Sequence, residues 1–195
     1  YLVFNAIKFL YLVSLFSVMK ITIGGMPGSG KTVVGQFLAQ GLGYEFYSIG
    51  GIRRELAKKR GLTIGQYNAL EEDTDTEVDN FQRELGKKGD KFIIEGRLSF
   101  HFVPDSLKLY FDCDMMESAK RIFNTSRTTE DKGKSVKETF ENLKSRVDSD
   151  RLRYKKYYNL DAYDKSQFDF VIDTTKLPLE EVQKKVLEFV KKKGR

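Results

Sequence analysis

Ile21-Thr22-Ile23-Gly24-Gly25-Met26-Pro27-Gly28-Ser29-Gly30-Lys31-Thr32-Val33-Val34 decides the fold. An apolar, β-rich run ends in glycines and passes into a stretch with helical spacing, and the octet from Gly25 to Thr32 has the form G-x-x-x-x-G-K-T. Glycines at these positions let successive backbone N–H groups turn toward one point, and the following helix N-terminus adds partial positive charge. An anion is the natural occupant. Lys31 is placed for the β- and γ-phosphates of a nucleoside triphosphate, and the Thr32 hydroxyl for its Mg2+. Gly25, Met26, Pro27, Gly28, Ser29, Gly30, Lys31 and Thr32 are therefore the residues expected to bind a nucleoside triphosphate such as ATP, and the loop alone leaves open a switch, a pump or a phosphate transfer.

Working outward, the chain alternates short apolar runs with longer amphipathic ones, the pattern of an α/β fold with a parallel sheet wrapped by helices. Strands are expected at 20–24, 44–47, 92–95, 107–111 and 168–172, giving five. Helices are expected at 31–40, 51–59, 63–70, 75–87, 115–124, 135–158 and 179–192. The segments 61–76 and 125–134 are polar and bear glycine or threonine. They suit small inserts that close over a site at the carboxyl ends of the strands. On this plan 19–195 is one domain, with an acceptor-binding insert near 50–88 and a lid near 121–153.

Composition agrees with a single globular domain: 195 residues, 40% apolar and 32% charged, with a net charge of +6 that favours anionic partners. One cysteine, Cys113, and one histidine, His101, exclude a disulfide framework and a zinc cluster, and suit a reducing, cytoplasmic setting. Tyr1 to Val18 is apolar apart from Asn5, Lys8, Ser14 and Ser17. It runs without a linker into the strand that feeds the glycine loop, which argues against a membrane helix or signal anchor. Met19 is the expected start of the domain, with 1–18 outside the fold.

A phosphate acceptor needs its own cationic site opposite the donor. Arginines are available: Arg54 near the start of a helix, Arg97 directly after the strand ending in Glu95-Gly96, and Arg121, Arg127, Arg146 and Arg153 around one proposed lobe. Arg146, Asp150 and Arg153 are spaced four and three apart on one helical face. The carboxylates between Glu71 and Asp79 lack the spacing of a calcium loop and read as a solvated lobe, although Asp75 and Asp79 share a face that could meet a base amino group. Met115 and Met116 are expected to pack. Val182, Val186, Leu187, Phe189 and Val190 should face the sheet, with the C-terminal lysines in water.

The motif order resembles the nucleoside monophosphate kinases, most closely the short archaeal type of cytidylate kinase. The resemblance runs from Met19 to the C-terminus, on the glycine loop, Ser48-Ile49-Gly50-Gly51-Ile52-Arg53-Arg54, Glu95-Gly96-Arg97-Leu98, the 146–153 stretch and Val171-Ile172-Asp173-Thr174-Thr175. It implies that Arg54 and Arg97 hold the acceptor phosphate, and that Arg146, Asp150 and Arg153 bind its ribose and phosphates. It also implies that Arg121 and Arg127 are lid arginines on the donor phosphates, that Glu95 joins Thr32 at Mg2+, and that Thr174 lies near the donor base. Lys31, Arg97 and Arg127 would stabilise the transferring group, with CMP or dCMP as acceptor. Gly50-Gly51 departs from the Gly-Asp of many relatives. A monomer with no membrane and no stable nucleic-acid partner is expected. Two alternatives stay open: another small-acceptor kinase of the adenylate or shikimate type, and an ATPase acting on RNA or ribosomes.

Overall fold

In the computed structural model, residues 19–62, 67, 74–125 and 132–194 are described. The segments 1–18 and 126–131, including Arg127, lie outside them, as does nearly all of the helix expected at 63–70.

The strands are β1 (Lys20–Gly25), β2 (Glu45–Ser48), β3 (Phe92–Glu95), β4 (Leu107–Asp112) and β5 (Phe170–Asp173). They form one fully parallel sheet in the order β2-β3-β1-β4-β5. The helices are α1 (Lys31–Leu42), α2 (Ile49–Lys59), α3 (Thr74–Lys88), the short α4 (Ser99–Phe102), α5 (Met115–Asn124), α6 (Val136–Tyr158) and α7 (Leu179–Lys193). Two packed layers cover the sheet. On one face Val34 and Leu38 of α1 and Val182, Val186 and Val190 of α7 bury Ile21, Ile23, Leu109 and Phe111. Elsewhere Leu98, Phe100 and Phe102 meet Val147 and Tyr154 of α6, while Val78 of α3 packs with Phe92 and Ile94.

The strand carrying the glycine loop is central, so its carboxyl end is flanked by those of β3 and β4. Two hydrogen bonds hold this edge together: Met26 N–H to the Phe111 carbonyl at 2.9 Å, and Gly96 N–H to the Ile23 carbonyl at 3.1 Å. Loop, Glu95-Gly96-Arg97 and the end of β4 are thus brought side by side.

Four differences from the sequence expectations have local causes. Phe168 precedes β5 rather than opening it; its ring packs 4.7 Å from Phe100 and 4.9 Å from Tyr110, and pairing with β4 begins at Phe170. Helix α2 starts two residues early because the Ser48 hydroxyl caps it, accepting from the Gly51 N–H at 3.2 Å. The one-turn helix α4 lies too short for a periodicity argument. Met116 is 40% exposed in the first turn of α5, and only Met115 packs. Among the described residues no helix is long and apolar enough to cross a membrane.

Candidate active site

Two glycines of the loop are required by geometry. At Gly25, with φ 123°, a Cβ would fall 2.1 Å from the Phe111 carbonyl oxygen; at Gly28, with φ 73°, one would fall 2.9 Å from that of Ser118. The loop therefore lies tight between β4 and α5. The Ser29 hydroxyl donates to the Met26 carbonyl at 2.7 Å and fixes the turn. Lys31 opens α1 and folds back, its ammonium donating to the carbonyls of Gly25, at 3.1 Å, and Met26. Burial lowers its pKa to about 8; Glu95 opposes this, while Arg97 and Arg146 add to it. Three cations thus feel one another across the carboxyl edge of the sheet.

The Thr32 hydroxyl donates to Glu95 Oε2 at 2.9 Å. A hydroxyl and a carboxylate oxygen adjoining the loop are hard donors of the kind Mg2+ takes, with room left in its coordination for phosphate oxygens and water. Among the described residues no group of three or more His, Cys, Asp or Glu gathers to hold a metal alone, so a substrate-shared ion fits this pair.

Opposite the loop, α6 and the residue after β3 build one charged knot. Asp150 is buried at 6% exposure. Arg97 Nε lies 2.6 Å from its Oδ2 and Arg153 NH2 3.2 Å from its Oδ1. The Tyr163 hydroxyl donates to Oδ2 at 3.1 Å, and Tyr154 accepts from Arg153 at 3.0 Å. Burial works against the Arg97 charge, but Asp150 and the tyrosines outweigh it and raise its pKa. Arg146 is lowered to about 10, by burial first and Arg97 second, with Asp150 opposing. This knot can hold an anion beside Lys31.

The remaining expected residues fall in different places. Arg54 is exposed on α2, its guanidinium 3.4 Å from where a Gly50 Cβ would stand, and it does not join the Asp150 knot. Arg121 spans Glu117 Oε1 at 3.1 Å and the carbonyls of Thr174 and Thr175 at 2.8 and 3.0 Å, so its guanidinium ties α5 to the turn after β5. Thr174 is 2% exposed; its hydroxyl sits 3.2 Å from the Ser29 carbonyl and 2.9 Å from that of Asp112, supporting the loop from beneath. A groove of 740 Å³ runs along the outer face of α6 and shares only Arg153 with the knot.

Tyr154 stands four residues after Asp150 on the same helical face, so its spacing could have marked it, whereas nothing in the spacing marks Tyr163. Tyr163 lies in an irregular segment and meets Arg97 only through the fold. Asp79 is buried and accepts from the Tyr158 hydroxyl, whereas a solvated lobe was expected there. Gln82, beside it, accepts from the Ser99 hydroxyl at 2.7 Å.

A central-strand glycine loop with its lysine, and a cationic knot facing it across the sheet edge, define a P-loop kinase. Fold comparison agrees: shikimate kinase from Bacteroides thetaiotaomicron matches with TM-score 0.63 at 13% identity, covering 89% of this chain and 97% of that one. Shikimate kinase from Acinetobacter baumannii matches at 0.61 and 16%, covering 93% and 98%. A family model described as AAA domain matches residues 21–147. The chain is 34% identical over 176 residues to a cytidylate kinase of Methanobrevibacter smithii, covering 89% of this chain and 99% of that protein. It is 35% identical over 161 residues to one of Methanococcoides burtonii, covering 81% and 89%. The chain belongs to the cytidylate kinase family.

Proposed function

We propose that the protein transfers the γ-phosphate of ATP to CMP or dCMP, giving ADP and CDP or dCDP. The observation that carries this is the convergence of Lys31 with Arg97 and Arg146 at one sheet edge, close enough for each arginine to lower the lysine's pKa. A lone triphosphate site has no use for the second cluster. The base choice rests on the relatives named cytidylate kinase.

On this reading the loop amides and Lys31 hold the donor triphosphate, while Arg97, Arg146 and Arg153 hold the acceptor's phosphate, with Arg54 reaching it from α2. Asp150 orients the ribose and holds the arginines. Thr32 and Glu95 would hold Mg2+, which when bound supplies charge neutralisation on the donor phosphates. An acceptor phosphate oxygen bonds to the γ-phosphorus, and the bond from that phosphorus to the β-phosphate bridging oxygen breaks, leaving ADP. Catalysis comes from alignment and charge neutralisation by Lys31, Arg97 and the lid residue Arg127. The buried free thiol of Cys113 supports a reducing cytoplasm as the setting, and the enzyme acts as a monomer on nucleotides alone.

The test is ADP release from ATP and Mg2+ with CMP, dCMP, UMP, AMP or GMP added singly. Turnover with cytidylates ahead of the others is expected. Hydrolysis indifferent to acceptor and stimulated by RNA would reject the proposal.

A further inference from the structure

Asp150 uses its two carboxylate oxygens differently. Oδ1 faces Arg153, whereas Oδ2 forms an ion pair with Arg97, its Nε at 2.6 Å, and accepts from the Tyr163 hydroxyl at 3.1 Å. The same hydroxyl lies 3.4 Å from Arg97 Nε. It donates to the carboxylate and accepts from the guanidinium, closing a three-membered ring of contacts. Both polar contacts of Arg97 fall on Nε. Its two terminal amino groups have no acceptor among the described residues, although the side chain is only 23% exposed. A guanidinium held by its inner nitrogen, with its outer fork unspent, is built to grip a phosphate.

Tyr163 is itself fixed. The residue is 6% exposed and packs with Met26, Leu98, Val147 and Tyr154. Its backbone N–H donates to Asp161 Oδ1 at 2.9 Å, and the Arg151 guanidinium lies 5.4 Å from its ring centroid. Burial, reinforced by Asp150 and opposed by Arg97, pushes its hydroxyl up to about 12, so the donor stays neutral through any assay range.

We infer that Tyr163 is a positioning residue of the acceptor site, holding Arg97 Nε on Asp150 so that the arginine's terminal amino groups remain for the acceptor phosphate. This rests on the proposed function. Arg153 shows a similar arrangement, donating to the Tyr154 hydroxyl with its guanidinium 4.8 Å from that ring centroid.

Tyr163→Phe keeps the packed ring and removes only the hydroxyl. The acceptor kcat/KM is expected to fall about tenfold, mostly through KM, while the KM for ATP stays within about twofold. Because the residue acts through Arg97, Tyr163→Phe should cost nothing further in an Arg97→Ala background. Calorimetric titration of CMP into the parent and variant reads the same loss without turnover, and melting curves check that both are folded. The inference is overturned if acceptor kcat/KM stays within twofold of the parent, if ATP and acceptor suffer equally, or if the two substitutions add. Should Phe not fold, Tyr163→Met fills the site without a hydroxyl, and wild-type acceptor kinetics there would also overturn it. A wild-type enzyme inert toward every nucleoside monophosphate refutes the proposed function itself, whereas an active one with an unaffected variant refutes only the role of Tyr163.

Discussion

On the proposed function, Arg97→Ala separates the two anion sites most cleanly, because Arg97 is in contact with Asp150 and only electrostatically coupled to Lys31 of the glycine loop. Breaking a buried ion pair costs about 3–5 kcal/mol when the survivor is left alone. Asp150 is not left alone: Arg153 and Tyr163 remain at 3.2 and 3.1 Å, and the Arg97 side chain is 23% exposed. A loss near 2 kcal/mol is therefore expected, or about 4–8 °C in Tm for a chain of this size. Catalysis should fall further than stability suggests. Two terminal amino groups facing a phosphate contribute about 3 kcal/mol together as charge-assisted bonds, so the acceptor kcat/KM should drop about a hundredfold. The assay is a coupled measurement of ADP with CMP varied at saturating ATP, then with ATP varied at saturating CMP. The KM for ATP should move less than about twofold. Equal losses on both axes, or acceptor kinetics within about threefold of wild type, would refute the assignment of the knot to the acceptor.

Lys31 has a depressed pKa, so its charged form is disfavoured in the folded protein. Between pH 8 and the ordinary lysine value the unfolded chain binds more protons, and the free enzyme should gain stability as pH rises through that window. Phosphate restores the charge, so ATP binding at pH 8 should take up about half a proton, seen as a buffer-dependent calorimetric heat that Lys31→Met abolishes. Thr174→Val removes the hydroxyl beside the Ser29 carbonyl, and a cost of about 1–2 kcal/mol in stability with a severalfold higher KM for ATP is expected from denaturation and kinetics. Gly25→Ala would drive a methyl into the Phe111 carbonyl at a strained φ, and little folded protein should be recovered by size-exclusion chromatography.

What the sequence discloses divides along the physics of range. The loop, its strand and its helix are contiguous, and so Gly25, Gly28 and Lys31 declare their roles in one octet. Helix α6 likewise shows Arg146, Asp150 and Arg153 as neighbours, because i, i+4 and i+7 share a face, while their roles come only from the resemblance. Contacts made across the fold leave no such trace. Tyr163 reaches Arg97 over 66 positions, and Tyr158 reaches Asp79 over 79. Thr174 supports a loop 145 residues earlier, while Phe168 trades a place in the sheet for an aromatic cluster. Arg121 shows the converse: an arginine at a plausible spacing is drawn by two backbone carbonyls and a carboxylate to the turn after β5.

The same long-range contacts explain how the fold tolerates its own active site. Lys31, Arg97 and Arg146 repel: burial is the first cause of the lowered pKa of Lys31 and of Arg146, and the neighbouring cations add to it. Glu95 and Asp150 oppose that repulsion from opposite sides, one beside Thr32 and the other beneath the arginines. Each carboxylate is an internal counter-ion that a phosphate can supplement without displacing it, since Asp150 holds Arg97 by Nε alone. On the proposed function, positive potential is thereby stored where the two nucleotides' phosphates would meet, and the carboxylates that hold it are already in place before either arrives. A cluster built from exposed lysines would need ordering at each turnover; one anchored to buried Asp150, Tyr154 and Tyr163 does not.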